Sequence, residues 1–259
     1  MKSKPLIALP IVLAALALAG CADESPEKRI AAAKEYLQKK DSKSAVIEIK
    51  NALQKNPDLG EARYLLGSTL LAEGNVVAAE VELRKALDAK YAADAVVPDL
   101  ARSMLLLGQS KKLVDEFGAT KLGKPAADAN LQTTLTAAYA MLGKPEQAQA
   151  ALDAALAADA QYAPALLISA RQKAGAKDFD AALAVVDGVI AREPANTDAW
   201  KLKGDLLLYT KQQPDEALAA YRKTLEIDAR YGPAHLAILN MLMQQGKLDE
   251  AAKQLEQLK

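Results

Sequence analysis

The stretch NALQKNPDLGEARYLLGSTLLAEGN, residues 51–75, closes one amphipathic segment, turns at Pro57 and runs into a second, Leu-rich segment that stops at Gly74. DGVIAREPANTDAWKLKGDLLLYTK at 187–211 and YRKTLEIDARYGPAHLAILNMLMQQGK at 221–247 follow the same plan. Aligning on a small residue four places before a large apolar one extends it along the chain. The pairs are Ala45/Ile49, Ala79/Leu83, Leu113/Phe117, Ala148/Leu152, Ala182/Val186, Ala217/Tyr221 and Ala251/Leu255. They succeed one another at 34, 34, 35, 34, 35 and 34 residues. A fixed period of this size is the mark of a solenoid, in which each unit buries its apolar face against its neighbours.

The spacing predicts an all-α, right-handed superhelical solenoid of about seven helix-turn-helix units. Units are expected near 26–59, 60–93, 94–128, 129–162, 163–196, 197–231 and 232–259. Helices are expected near 26–39, 42–55, 60–73, 76–89, 94–107, 110–118 and 126–142, then 145–158, 162–175, 178–192, 196–210, 213–228, 231–245 and 248–259. Gly74, Gly108, Gly143 and Gly246 share the phase at which a first helix must stop and turn. A small residue where paired helices cross lets their axes approach, and the larger residue one turn later fills the space beside it.

Two departures are visible. Leu113 replaces the small residue in the third unit, and EFGATKLGKPAADAN shortens its second helix, so the array is expected to bend or loosen there. Pro214 adds one residue to the sixth unit, and because Pro is tolerated in a first helical turn, only the connector should lengthen. The sequence stops inside the second helix of the seventh unit, which leaves Leu255 and Leu258 to face solvent unless more chain or a partner covers them.

The period, with Trp200 and Gly204 in WKLKG, Leu66 and Gly67 in YLLG, Tyr36, Tyr139, and Pro57 and Pro194 at closing turns, resembles the tetratricopeptide repeat. The resemblance covers about nine tenths of the chain. It implies a concave face lined by the first helices. On that face the expected residues are Lys34, Leu37, Tyr64, Ser68, Leu71 and Arg102 in the first half. In the second half they are Arg171, Lys201, Asp205, Tyr209, Leu236 and Asn240. Such a mixture suits an extended peptide or a partner helix. It lacks the Lys and Asn pattern of arrays that clamp C-terminal carboxylates.

The amino-terminal residues carry an address. Lys2 and Lys4 precede an apolar run from Leu6 to Ala19, broken only by Pro10. Its length, about 21 Å as a helix, is short of the roughly 30 Å hydrocarbon core of a bilayer. A secretory signal over 1–20 is therefore expected, not a span. Leu18-Ala19-Gly20-Cys21 resembles a bacterial lipobox, which implies acylation of Cys21, the single cysteine, followed by a tether at 21–25. Several acyl chains on one residue anchor firmly, since each buried methylene adds roughly 0.8 kcal/mol. Ala22 after the cysteine favours the outer membrane of a Gram-negative bacterium, facing the periplasm, with the inner membrane as the alternative.

Composition narrows the chemistry. Hydrophobic residues make up 51 % of the chain and aromatic ones 4 %, while 33 basic and 33 acidic residues cancel to a formal charge of zero. That balance argues against a nucleic-acid surface, which needs a basic excess. His235 is the sole histidine and sits at the phase of Trp200, so packing is expected of it rather than catalysis. One histidine and one acylated cysteine cannot build a zinc site. No catalytic residues, metal or cofactor are expected, and no residue pattern supports polysaccharide contact.

SPEKRIAAAKEYLQKKDSKSAVIEIKNALQKNPDLGEARYLLGSTLLAEGNVVAAEVELRKAL, followed by VVPDLARSMLLLGQSKKLVDEFG, is similar to the start of the PEP-CTERM system tetratricopeptide-repeat lipoproteins. Those accompany exosortase and exopolysaccharide genes. The resemblance implies a lipid-anchored, non-enzymatic scaffold that binds protein partners during exopolysaccharide assembly or export. The alternative is a pilotin-like or outer-membrane assembly lipoprotein. A polysaccharide-modifying enzyme would need an acid/base pair in a cleft, and the sequence offers none.

Overall fold

A computed structural model describes residues 25–256. The signal segment 1–20, Cys21 and Leu258 lie outside the described residues. Among the described residues the chain forms helices only. They are α1 (Pro26–Gln38), α2 (Ser42–Lys55), α3 (Gly60–Ala72), α4 (Val76–Asp88), α5 (Ala93–Leu106), α6 (Ser110–Phe117) and α7 (Pro125–Met141). After them come α8 (Pro145–Ala158), α9 (Ala163–Gly175), α10 (Phe179–Arg192), α11 (Thr197–Tyr209), α12 (Pro214–Ile227), α13 (Gly232–Gln244) and α14 (Leu248–Glu256). Odd-numbered helices are the first of each pair and even-numbered ones the second. Each second helix packs on its own first helix and on the next one, and successive first helices from α3 to α11 also touch. The result is a solenoid.

Helix starts follow ordinary capping chemistry. The side chains of Ser25, Asp41, Asp178 and Asn196 accept from the backbone N–H three residues on, and Pro opens α1, α7, α8 and α12, where its missing N–H costs nothing. Pro214 thus begins α12 and leaves the helix intact.

The turn inside every pair needs one residue with left-handed backbone. Gly74, Gly108, Gly143 and Gly246 supply it with φ of 80°, 71°, 67° and 72°, and the other three pairs force it on Lys40, Lys177 and Gln212, at 60°, 65° and 53°. A side-chain-bearing residue held there stores roughly 1–2 kcal/mol of steric strain.

The small-plus-large pairing reads directly into packing. A Cβ on Gly67 would sit 2.7 Å from Leu83 Cγ, and one on Gly204 would sit 2.4 Å from Tyr221 Cε1. The first helix therefore lies against the large residue of its partner. Tyr221 is fully buried there, and its hydroxyl donates to Asp205 Oδ1 at 2.9 Å, which satisfies the polar end of a core ring.

The third pair does not loosen. Although α6 has only eight residues, Leu113 and Phe117 are buried within the largest core cluster, which runs from Leu71 on α3 to Ala151 on α8. The short helix leaves α5 and α7 in direct contact. The connector after it is tied down: Gly123 N donates to Asp94 Oδ1 at 2.8 Å, Leu122 N to Asp128 Oδ1 at 3.0 Å, and Gln132 Nε2 to the Thr120 carbonyl at 3.3 Å. The core thins further on. Between α8 and α9 the buried cluster is Leu152, Ala155 and Ala165.

Candidate functional site

The first helices share one face, and most of the residues expected there lie on it. Near the amino-terminal end a cleft of about 320 Å³ between α1 and α3 is lined by Leu37, Lys40, Tyr64, Leu65, Ser68 and Thr69. Near the other end a cleft of about 400 Å³ between α11 and α13 is lined by Lys201, Asp205, Tyr209, Pro233, Leu236 and Asn240. Tyr209 and Leu236 expose 68 % and 54 % of their surface in this cleft. Arg102 on α5 and Arg171 on α9 are exposed on the stretch between the clefts.

Leu71 is a correction. It is 8 % exposed and belongs to the core cluster with Leu83 and Leu100, not to the groove. Leu66 and Leu71 face inward on α3, so the stripe that lines the cleft passes through Ser68, Thr69 and Ala72 instead.

The electrostatics differ along the face. At the first end Lys34 Nζ lies 2.6 Å from Glu61 Oε1, which raises the lysine pKa. Tyr91 faces the same carboxylate and stacks on Tyr64, their ring centres 5.4 Å apart. At the other end both oxygens of Asp205 are taken, one by Lys201 Nζ at 2.6 Å and one by Tyr221. Burial, reinforced by this carboxylate, pushes the Tyr221 hydroxyl far above its ordinary pKa. Asp99 on α5 is half-buried, and burial raises its carboxyl pKa, opposed by Ser68 and Arg102. These groups bind and orient; none of them pairs a nucleophile with a base.

A device absent from the sequence reading holds the turns that enter the first helices. Arg63 Nε donates to the Pro57 carbonyl at 2.8 Å, Trp200 Nε1 to the Pro194 carbonyl at 2.9 Å, and His235 Nε2 to the Ala229 carbonyl at 2.9 Å. In each case the acceptor is six residues upstream. A carbonyl only accepts, so His235 carries its proton on Nε2, and Nδ1 accepts from Gln254 Nε2 at 2.5 Å. His235 is thus a buried clamp, 2 % exposed. The pattern hides in sequence because three unlike side chains do one job. A second recurrence ties helix to helix: Arg29 to Glu48 at 2.9 Å and Arg63 to Glu82 at 2.6 Å, both 19 residues apart, as are His235 and Gln254.

A hollow of about 580 Å³ beside α6 lies off this face. Its charged lining is spoken for, with Lys111 on Asp115 at 2.7 Å and Glu116 on Arg84 at 3.0 Å. Among the described residues no group of three His, Cys, Asp or Glu side chains is placed to hold a metal, and no helix is long and apolar enough to cross a membrane.

Stacked helix pairs with an open, mixed-polarity face define a helical-repeat scaffold, a class that acts by holding other proteins. This chain belongs to the tetratricopeptide-repeat family, whose model matches residues 30–109 and 169–232. No curated protein sequence matches it. Among solved structures it is similar to a tetratricopeptide-repeat protein from Parabacteroides merdae, with a TM-score of 0.64 at 17 % identity over 90 % of this chain and 91 % of that one. It is also similar to PilW, a type IV pilus biogenesis factor, with a TM-score of 0.62 at 19 % identity over 83 % of this chain and 98 % of that one. pilF of Pseudomonas aeruginosa gives a TM-score of 0.59 at 16 % identity over 84 % and 98 %.

Proposed function

We propose that the chain is a periplasmic adaptor, tethered through acylated Cys21, that holds protein partners on the face of its first helices during exopolysaccharide export or the surface sorting of exosortase substrates. The observation that carries the adaptor reading is the open face itself, with Tyr209 and Leu236 exposed beside Lys201 and Asp205 in one cleft. Large apolar groups flanked by polar ones are what a protein interface buries. The tether rests on Leu18-Ala19-Gly20-Cys21, and the process rests on the similarity of the first three units to the PEP-CTERM lipoproteins.

A second reading is assembly of a pilus or of outer-membrane proteins. It is supported by the overlap in fold and extent with PilW and pilF, nearly all of whose length this chain matches.

The test is a crosslinked pull-down from membranes, comparing the natural chain with a Cys21→Ser form secreted through a cleavable signal. Recovery of polysaccharide-export or exosortase components, with yield that depends on Cys21, is the expected result. Recovery of secretin or barrel-assembly components would replace the first reading with the second. Recovery of no partner at all would sink the adaptor reading.

A further inference from the structure

The outer face, made by the second helices, changes character along the array. Two residues after the small residue of each crossing, the side chain is exposed. That phase holds Ile47 on α2 and Val81 on α4, then Asp115, Ala150, Ala184 and Ala219 on the four second helices that follow. Two residues before the crossing stand Lys43 and Val77, whereas the fourth to seventh pairs carry Glu146, Asp180, Asp215 and Asp249, all exposed. Ile47, Val77 and Val81 expose 58 %, 65 % and 47 % of their surface, and no large apolar side chain is exposed on α6, α8, α10 or α12. The outer face is thus basic and apolar in the first two pairs and acidic and alanine-rich from the fourth onward.

Lys43, Ile47, Lys50 and Gln54, at i, i+4, i+7 and i+11 of α2, form one exposed row. An acid is the favoured residue at a helix start, where the dipole is positive, and the first turn of α2 holds Lys43 and no acid. The capping Asp41 is bound to the Ser44 N–H at 3.1 Å, and among the described residues neither Lys43 nor Lys50 makes an ion pair. The acids within α2 and α4 are taken by arginines: Glu48 lies 2.9 Å from Arg29, Glu80 2.9 Å from Arg84 and Glu82 2.6 Å from Arg63. Asp88, at the far end of α4, is the remaining acid.

We propose that the outer face of the first two pairs rests on an anionic lipid surface, with Ile47, Val77 and Val81 set among the headgroups and Lys43 and Lys50 beside the lipid phosphates. Helical faces hold such surfaces by burying apolar area and by attraction between their cations and the anionic headgroups. Charge complementarity selects the occupant: the row is basic where the lipid is negative, and the acids of the later pairs keep the rest of the outer face off it. The place of the tether agrees. Pro26 follows Cys21 by five residues, at most about 18 Å of chain, so an acyl group on Cys21 brings α1 and α2 to the bilayer by whatever path the tether takes. The face with the two clefts is then turned away from the lipid and stays open to partners. This contact rests on the tether of the proposed function and gives the tethered chain an orientation.

The test uses the secreted Cys21→Ser chain, so that no acyl group contributes, and sedimentation with vesicles of phosphatidylcholine alone or of phosphatidylcholine and phosphatidylglycerol in equal parts. The mixed vesicles should bind at least about tenfold more tightly, and the difference should vanish in about 1 M salt. Lys43→Glu with Lys50→Glu should weaken that binding at least about tenfold, and Ile47→Ser with Val81→Ser about tenfold. Arg222→Glu with Lys223→Glu, the same change of charge on the exposed surface of α12, should leave it unaltered. All these positions are exposed or nearly so, and circular dichroism checks that each variant is folded. Equal binding to both kinds of vesicle, binding to neither, or an equal loss in the α12 variant would overturn the proposal. So would a photocrosslinking residue in place of Ile47 that captures protein and no lipid in membranes, which would give this face to a protein partner. A natural chain that takes up no fatty-acid label in cells would fault the tether instead, and the vesicle result then decides the lipid contact by itself.

Discussion

Between α3 and α8 the buried side chains touch in one cluster, including Leu83, Leu100, Met104, Leu113, Phe117, Leu131 and Leu135. Across α8 and α9 the cluster shrinks to Leu152, Ala155 and Ala165. The first region contains the irregular helix α6, and the second joins two helices of ordinary length. Regularity of the repeat therefore does not set cohesion. What sets it is the apolar area that crosses from one pair to the next, and the α8 sequence PEQAQAALDAALAA offers mostly methyl groups. Burial stabilises in proportion to area, about 25 cal/mol per Å², so alanine contributes little where Leu or Phe contributes a great deal.

The largest expected effect tests this contrast. Phe117→Ala should destabilise the central block by about 3–5 kcal/mol. Trp200, on the far side of the thin junction, gives the second signal. Followed in urea, far-ultraviolet circular dichroism should shift while the Trp200 fluorescence transition moves by less than about 0.5 kcal/mol, as expected for sites without shared partners. Equal shifts of both would mean that the junction transmits stability as well as the block does.

Next in size is Gly204→Ala, which drives a methyl group into the Tyr221 ring and should cost about 1–3 kcal/mol. Gly175, at the end of α9, faces open space, so Gly175→Ala should be neutral or slightly stabilising. Thermal unfolding of the two variants separates a packed crossing from an empty one. Smaller again are the turns. Lys177→Gly should gain roughly 0.5–1 kcal/mol by relieving left-handed strain net of glycine's added chain entropy, and Gly143→Lys should lose a similar amount. Melting temperatures moving in opposite directions would confirm both.

The smallest effect concerns Asp99. Burial raises its carboxyl pKa, so the folded chain keeps a proton that the unfolded chain has released. Stability from this group is therefore present below the ordinary carboxylate value near 4 and declines as pH rises through the raised one. Asp99→Asn should flatten that decline by less than about 1 kcal/mol, read from urea midpoints between pH 3 and 7.

Much of the fold was legible because its determinants are periodic. Small-plus-large pairs gave the unit, and four glycines marked the turns at which a left-handed residue was needed. Lys40, Lys177 and Gln212 were not legible, since no side-chain type announces that its backbone has been forced across. Leu71 was misplaced because one residue of phase on a helix turns a side chain by about 100°, enough to carry it from groove to core.

The thin α8–α9 contact gives the solenoid a mechanical character. Under a load across its two ends, strain concentrates where the restoring stiffness is least, so the molecule yields there before any helix pair opens. A pull on the array would thus move the two clefts of the shared face apart while leaving each of them intact, making the span of that face a function of tension.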